Sequence, residues 1–104
     1  MNRFVHYTAM SRQDIEEIFD YFDQHNETVA DRFYDAIEKT IQQLVRSPEL
    51  GEKRDYANPE YANMRVWQVS GFSNYLIFYR VGKTDLTIVR VIHGARDYDT
   101  MFNE

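Results

Sequence analysis

The chain contains no cysteine, which removes disulfides, thiolate nucleophiles and cysteine-type zinc sites together. Its four glycines form neither Gly-x-Gly-x-x-Gly nor a Walker loop, and the nucleophile elbow Gly-x-Ser-x-Gly is missing as well. Nucleotide binding and serine hydrolysis are therefore set aside. His6, His25 and His93 are scattered, without the His-x-x-x-His spacing of a metal site. No segment approaches the roughly 20 apolar residues that span a bilayer. Residues 1–7 also lack an apolar run of signal-peptide length, so a cytoplasmic protein with no membrane contact and no cofactor is expected. A basic excess is missing too. Net charge is −5; residues 1–45 carry nine acids against four bases, and residues 46–104 carry eight of each. A protein that grips the phosphate backbone needs surplus Lys and Arg to release counterions. Neither a broad nucleic-acid footprint nor direct sequence-specific binding is expected.

What the chain does have is aromatic side chains: eight Tyr, seven Phe and one Trp in 104 residues. That length suits one domain, 1–104, burying roughly 60–70% of its unfolded surface. Arg3 to Tyr7 reads as a short strand. Thr8 or Ser11 then caps a helix on which Ile15, Ile18, Phe19 and Phe22 form one stripe. Gln24-His25-Asn26 interrupts it. A second helix, capped at Thr28, carries Phe33, Ala36, Ile37, Thr40, Ile41, Leu44 and Val45 at 3-4 spacing and stops at Pro48 and Gly51. The two make a helical hairpin whose acids line its solvated face. Residues 52–62 lack periodicity and read as a loop. Strands follow near Met64–Val69, Asn74–Arg80 and Leu86–Ile92, joined by connections short enough for antiparallel hairpins. The expected fold is α+β, β-α-α-β-β-β, with the helical hairpin packed on an antiparallel sheet.

The strands do not alternate cleanly. Tyr75, Ile77 and Tyr79 oppose Leu76 and Phe78; Leu86, Ile88 and Ile92 oppose Val89 and Val91. Strands apolar on both sides want cover on both sides. One hairpin covers one, so the other face either awaits a partner or is closed by loop 52–62 and the tail Tyr98–Glu104. Arg90 falls, by alternation, beside Ile88 and Ile92. It must find a carboxylate or carbonyl cage if buried, or lie at a binding surface.

Chemically capable side chains gather in Arg90-Val91-Ile92-His93-Gly94-Ala95-Arg96-Asp97. A ribonuclease acting through the ribose 2′-OH needs a base, cations on the phosphate and an acid for the leaving oxygen. His93 titrates in a useful range, and Arg65, Arg80, Arg90 and Arg96 are the available cations. The structural alternative is that His93 only ends the strand while Arg96 and Asp97 pair locally.

With Asp14-Ile15-Glu16-Glu17-Ile18-Phe19-Asp20-Tyr21 and Gly71-Phe72-x-x-Tyr75-Leu76-Ile77-Phe78-Tyr79-Arg80, that run resembles the ParE branch of the ParE/RelE toxin family, along nearly the whole chain. The resemblance implies the toxin of a type II toxin–antitoxin pair, of the plasmid-stabilisation kind, that inhibits DNA gyrase without an enzymatic site of its own and is wrapped by a ParD-like antitoxin. RelE-like ribonucleases place an Arg where this chain has Leu76, and a Tyr where it has Phe102. Those departures favour gyrase over ribosome-dependent mRNA cleavage; an mRNA endonuclease, a generic binding module and an inactive relic are the rival readings. The candidates for target contact and toxicity are Arg90, His93, Arg96, Asp97 and Phe102. For antitoxin contact they are Arg65, Trp67, Tyr75, Ile77 and Tyr79, on the supposition that the latter residues line the uncovered face.

Overall fold

Thr8 is the hinge on which the first two elements turn. A computed structural model describes residues 3–104, beginning with strand β1, Phe4–Tyr7. Thr8 then caps helix α1, Ala9–Asp23, its Oγ1 accepting from the Ser11 N–H while donating to the Val89 carbonyl at 2.7 Å. Helix α2, Glu27–Arg46, is capped two residues before the expected Thr28, because the extended Asn26 accepts from both Thr28 N–H and Val29 N–H. Its apolar stripe is buried as its spacing predicts. A 3-10 turn over Pro48–Leu50 follows.

The remaining strands are β2, Glu52–Arg54, β3, Met64–Val69, β4, Phe72–Val81, and β5, Asp85–His93. Segment 52–62 is thus not all irregular: it holds β2 and a 3-10 turn over Pro59–Tyr61. The five strands lie in the order β1-β5-β4-β3-β2. β2, β3, β4 and β5 pair antiparallel, as expected, but β1 runs parallel to β5, which makes the sheet mixed. A parallel neighbour requires a long crossover, and here the helical hairpin and three strands lie between β1 and β5.

Hairpin and sheet share a core of Phe33, Ile37, Ile41, Leu44, Val69, Ile77, Tyr79, Leu86, Ile88 and Val91. On β4 the faces divide as the alternation predicts. On β5 they do not. Tyr79 pairs with Ile88 and Phe78 with Arg90, so Val89 is an extra residue in a bulge. Past it the alternation shifts by one, so Val91, not Ile92, joins Leu86 and Ile88 under the hairpin. Ile92 and Val89 take the opposite face with Phe78 and Met64. That face is closed by the chain itself: Tyr56 and Tyr61 from the 52–62 segment, and Tyr98, Met101 and Phe102 from helix α3, Tyr98–Asn103. Among the described residues no helix is long and apolar enough to cross a membrane.

Candidate functional site

β1 reaches only as far as Ile88, which leaves the end of β5 without a strand beside it. The start of α1 fills the place. Past the Thr8 contact to Val89, Asp14 Oδ2 accepts from the Val91 N–H at 3.0 Å, as a neighbouring strand's carbonyl would. The same carboxylate holds Arg90 through two bonds, Nε to Oδ2 at 2.7 Å and Nη2 to Oδ1 at 3.0 Å. Both side chains are buried, and the bond to Asp14 is the main cause raising the guanidinium pKa. Arg90 therefore has the carboxylate its position demands and is no free cation.

Two other arginines are also engaged. Arg65 Nη1 donates to the Gly51 carbonyl at 2.7 Å, and Arg80 donates to the carbonyls of Ala62 and Glu60 at 3.1 and 2.6 Å. Each ties a connecting segment to the sheet. Tyr79 does the same from beneath the hairpin, donating to the Pro48 carbonyl and accepting from the Gly51 N–H at 2.8 Å. A Cβ at position 51 would lie 2.3 Å from the Tyr79 hydroxyl, so glycine is needed there for space. Burial pushes the Tyr79 phenol up.

Several expected surface contacts thus belong to the interior. Ile77 and Tyr79 lie fully buried under the helical hairpin, not on an uncovered face, and Trp67 and Tyr75 pack half-buried against the same core. Phe102 is fully buried on the opposite face, ringed by Tyr56, Tyr61 and Phe78 at centroid distances of 4.5–5.1 Å. Asp97 caps α3, accepting from the Thr100 N–H at 3.3 Å, and does not pair with Arg96.

His93 and Arg96 remain. They meet Tyr75, Tyr21 and Glu17 around a shallow cleft of about 310 Å³ between α1 and the end of β5. The turn is fixed by the Gly94 N–H donating to the Asn74 carbonyl at 2.7 Å and by the Arg96 N–H donating to the His93 carbonyl at 3.1 Å. His93 Nδ1 accepts from the Ala95 N–H at 3.0 Å, which leaves Nε2 as the outward nitrogen. Its ring stands edge-on to Tyr75, 5.0 Å between centroids. Arg96 is exposed, and its guanidinium contacts the Met101 sulfur at 3.5 Å.

A family model described as the ParE toxin of the type II toxin–antitoxin system parDE matches residues 5–98. The chain belongs to that family. A chain of the chromosomal ParDE system of P. aeruginosa superimposes with a TM-score of 0.68 at 16% identity, covering 88% of this chain and 95% of its own. A chain of the RelBE2 toxin–antitoxin complex of Mycobacterium tuberculosis gives 0.59 at 20% identity, covering 89% and 99%. At these identities the likeness is one of fold. No curated protein sequence matches.

In this ParE-family toxin the cleft offers one exposed cation, one imidazole and two phenol rings. That set suits a protein side chain docking through an aromatic contact and a charge-assisted bond. Asp14, Glu17 and Tyr21 lie in a run the sequence reading singled out, but were not among its site candidates. The signal was present for Asp14: Ser11, Asp14 and Ile18 follow the 3-4 spacing of a buried face, and the structure buries Ser11 and Asp14.

Proposed function

We propose that this ParE-family chain arrests growth by binding DNA gyrase, that it does so without cutting RNA, and that a ParD-like antitoxin neutralises it. The observation that carries the reading is how its arginines are engaged. Strand scission by 2′-OH attack needs cations held on the phosphate. Arg90 is bound by Asp14, while Arg65 and Arg80 are bound by backbone carbonyls, so Arg96 alone stands free beside His93. Phe102, at the position where a ribonuclease-like tyrosine would stand, is inside the core. A protein target asks less of the site, since one cation and an aromatic anchor can dominate an interface. The choice of gyrase follows the family resemblance, and the relatives solved as toxin–antitoxin assemblies support an antitoxin partner.

Inducing the chain alone in a bacterium should arrest growth with DNA damage and intact mRNA, and the purified protein should inhibit gyrase supercoiling. Co-expression of the antitoxin from the neighbouring reading frame should restore growth. Codon-position cleavage of mRNA on ribosomes, with supercoiling unaffected, would overturn the reading.

A further inference from the structure

The cleft between α1 and the end of β5 is lined by two carboxylates, Asp14 and Glu17, and by two basic side chains besides, His93 and Arg96. Its acceptors are engaged and its donors are not. Asp14 commits both oxygens to Arg90 and the Val91 N–H. Glu17 accepts from the Gln13 amide at 3.0 Å, one turn back along α1. The His93 carbonyl is taken by the Arg96 N–H at 3.1 Å. Arg96 itself is exposed, and its guanidinium has no acidic partner among the described residues.

His93 is fixed as a donor too. Its Nδ1 meets the Ala95 N–H at 3.0 Å, and only a lone pair can face a backbone N–H. The neutral ring must then carry its proton on Nε2, the nitrogen left to a ligand. No nitrogen of that tautomer is open to take a proton, so the ring cannot act as the base of a 2′-OH attack without breaking the turn. Tyr75 stands edge-on to the imidazole, and its phenol is raised by burial and then by the neighbouring Tyr21 phenol, so it keeps its proton as well. What complements such a set is an acceptor carrying one negative charge. A nucleic-acid strand brings a charge about every 3.4 Å, and Glu16, Glu17, Asp20 and Asp23, all exposed on α1, oppose it. A single carboxylate brings one charge for Arg96 to match and two oxygens for the guanidinium and Nε2–H to share.

We propose that the cleft takes one Asp or Glu side chain of the target protein, its carboxylate accepting from the Arg96 guanidinium and from His93 Nε2–H, with the Tyr75 and Tyr21 rings as the wall. His93 is thus a recognition donor held in one tautomer by Ala95. Glu17 at the rim sets the selectivity, since it repels any second negative charge beside the first. Only the identity of the chain that supplies the carboxylate rests on the gyrase reading above.

The first test needs no gyrase. Long-range nitrogen–proton NMR of the full labelled chain at mildly alkaline pH should show His93 protonated on Nε2 and bare on Nδ1. A blocked glutamate dipeptide should shift the amides of Tyr75, His93 and Ala95, and its glutamine counterpart should not. Arg96→Gln should abolish those shifts, and Glu17→Gln should tighten the glutamate probe roughly threefold. A proton on Nδ1, equal shifts from the two probes or silence from both overturns the proposal. A short DNA duplex that moves the same amides more strongly than glutamate assigns the cleft to phosphate and also overturns it. The second test uses gyrase with DNA. Arg96→Gln and His93→Leu should each raise the concentration that inhibits supercoiling at least about tenfold, with circular dichroism confirming the fold; His93→Gln, which keeps an amide donor, should lose less. Carbodiimide joins amines to carboxylates, so the Arg96→Lys variant should become linked through position 96 to an Asp or Glu of gyrase, identified by mass spectrometry. If the natural chain inhibits gyrase while Arg96→Gln inhibits equally and position 96 forms no link, the cleft proposal fails and the gyrase reading stands. If the natural chain does not inhibit gyrase, that reading fails, and the glutamate probe alone decides what the cleft binds.

Discussion

Asp14 and Arg90 lie 76 positions apart, yet each is buried because of the other. Truncating one partner of such a pair leaves an uncompensated charge in the interior, and Asp14→Ala also strips the Val91 N–H of its acceptor. Asp14→Ala should therefore cost about 3–5 kcal/mol of unfolding free energy, whereas Asp14→Leu combined with Arg90→Met should cost much less. Urea denaturation of the two variants checks this; equal losses would show that packing, not the stranded charge, sets the cost. That a buried Arg90 needed a carboxylate or a carbonyl cage was legible from its place on a β-branched strand. Which carboxylate was not, since a lone acid on an amphipathic helix looks like any solvated one. Arg96 is the opposite case, exposed and without an acidic partner. Arg96→Ala should leave stability within about 0.5 kcal/mol of the natural chain and antitoxin affinity unchanged, while weakening supercoiling inhibition. Unchanged inhibition by this variant would remove the cleft from the target interface.

The C-terminal helix shows where spacing arguments run out. From sequence, Tyr98–Glu104 has no periodic stripe, and its folding over the second face is only one of two readings. In the fold α3 is a cover, fastened by the Tyr56 hydroxyl donating to Asp99 at 2.8 Å and by the Ala57 N–H donating to Asn103 at 2.9 Å, with Phe102 as its plug. Removing Met101–Glu104 strips that plug from Phe78 and Met64 and should therefore open the second layer. Phe102→Ala should destabilise by about 3–5 kcal/mol, as buried aromatic truncations do, and the truncated chain should bind a hydrophobic dye that the natural one excludes. A truncated chain that melts at the natural temperature would argue against the second layer. The helical hairpin, by contrast, was readable almost residue by residue, because its 3-4 stripe is long and strict. β1 was readable as a strand but not as a parallel one: four residues of alternating exposure hold no information about their partner. The Val89 bulge was equally hidden, since an inserted residue in an all-apolar run leaves no break in the pattern. It moved Ile92 to the wrong face of the expected sheet. The supposition that Tyr75, Ile77 and Tyr79 line an uncovered face went astray for a related reason. Alternation sorts side chains into two faces without saying which one the helices take.

Across the molecule, tyrosine is the residue that fastens both layers, and this gives stability a direction in pH. The phenols of Tyr7, Tyr56, Tyr75 and Tyr79 are all raised above the ordinary value of 10.0, with burial as the leading cause. A phenol buried in the fold keeps its proton at a pH where the unfolded chain has lost it, so ionisation favours the unfolded state. The contribution is present in full below pH 10.0 and is lost as pH rises from there through the folded values. For Tyr79, fully buried, stability should fall with pH within that window, with about 1.4 kcal/mol per pH unit as the upper bound for one proton. The second layer carries an added weakness. An ionised Tyr56 would face the Asp99 carboxylate that now accepts its hydrogen bond, so α3 should loosen before the hairpin core. Urea unfolding from pH 8 to 11 should show a plateau followed by a steep decline. The decline should be shallower in Tyr79→Phe, whose baseline stability is lower because the Gly51 N–H loses its acceptor and the Pro48 carbonyl its donor. Hydrogen exchange over the same range should open Tyr98–Asn103 ahead of β4. A flat stability profile through pH 11, or simultaneous opening of both layers, would show that these phenols do not hold the fold as their burial implies.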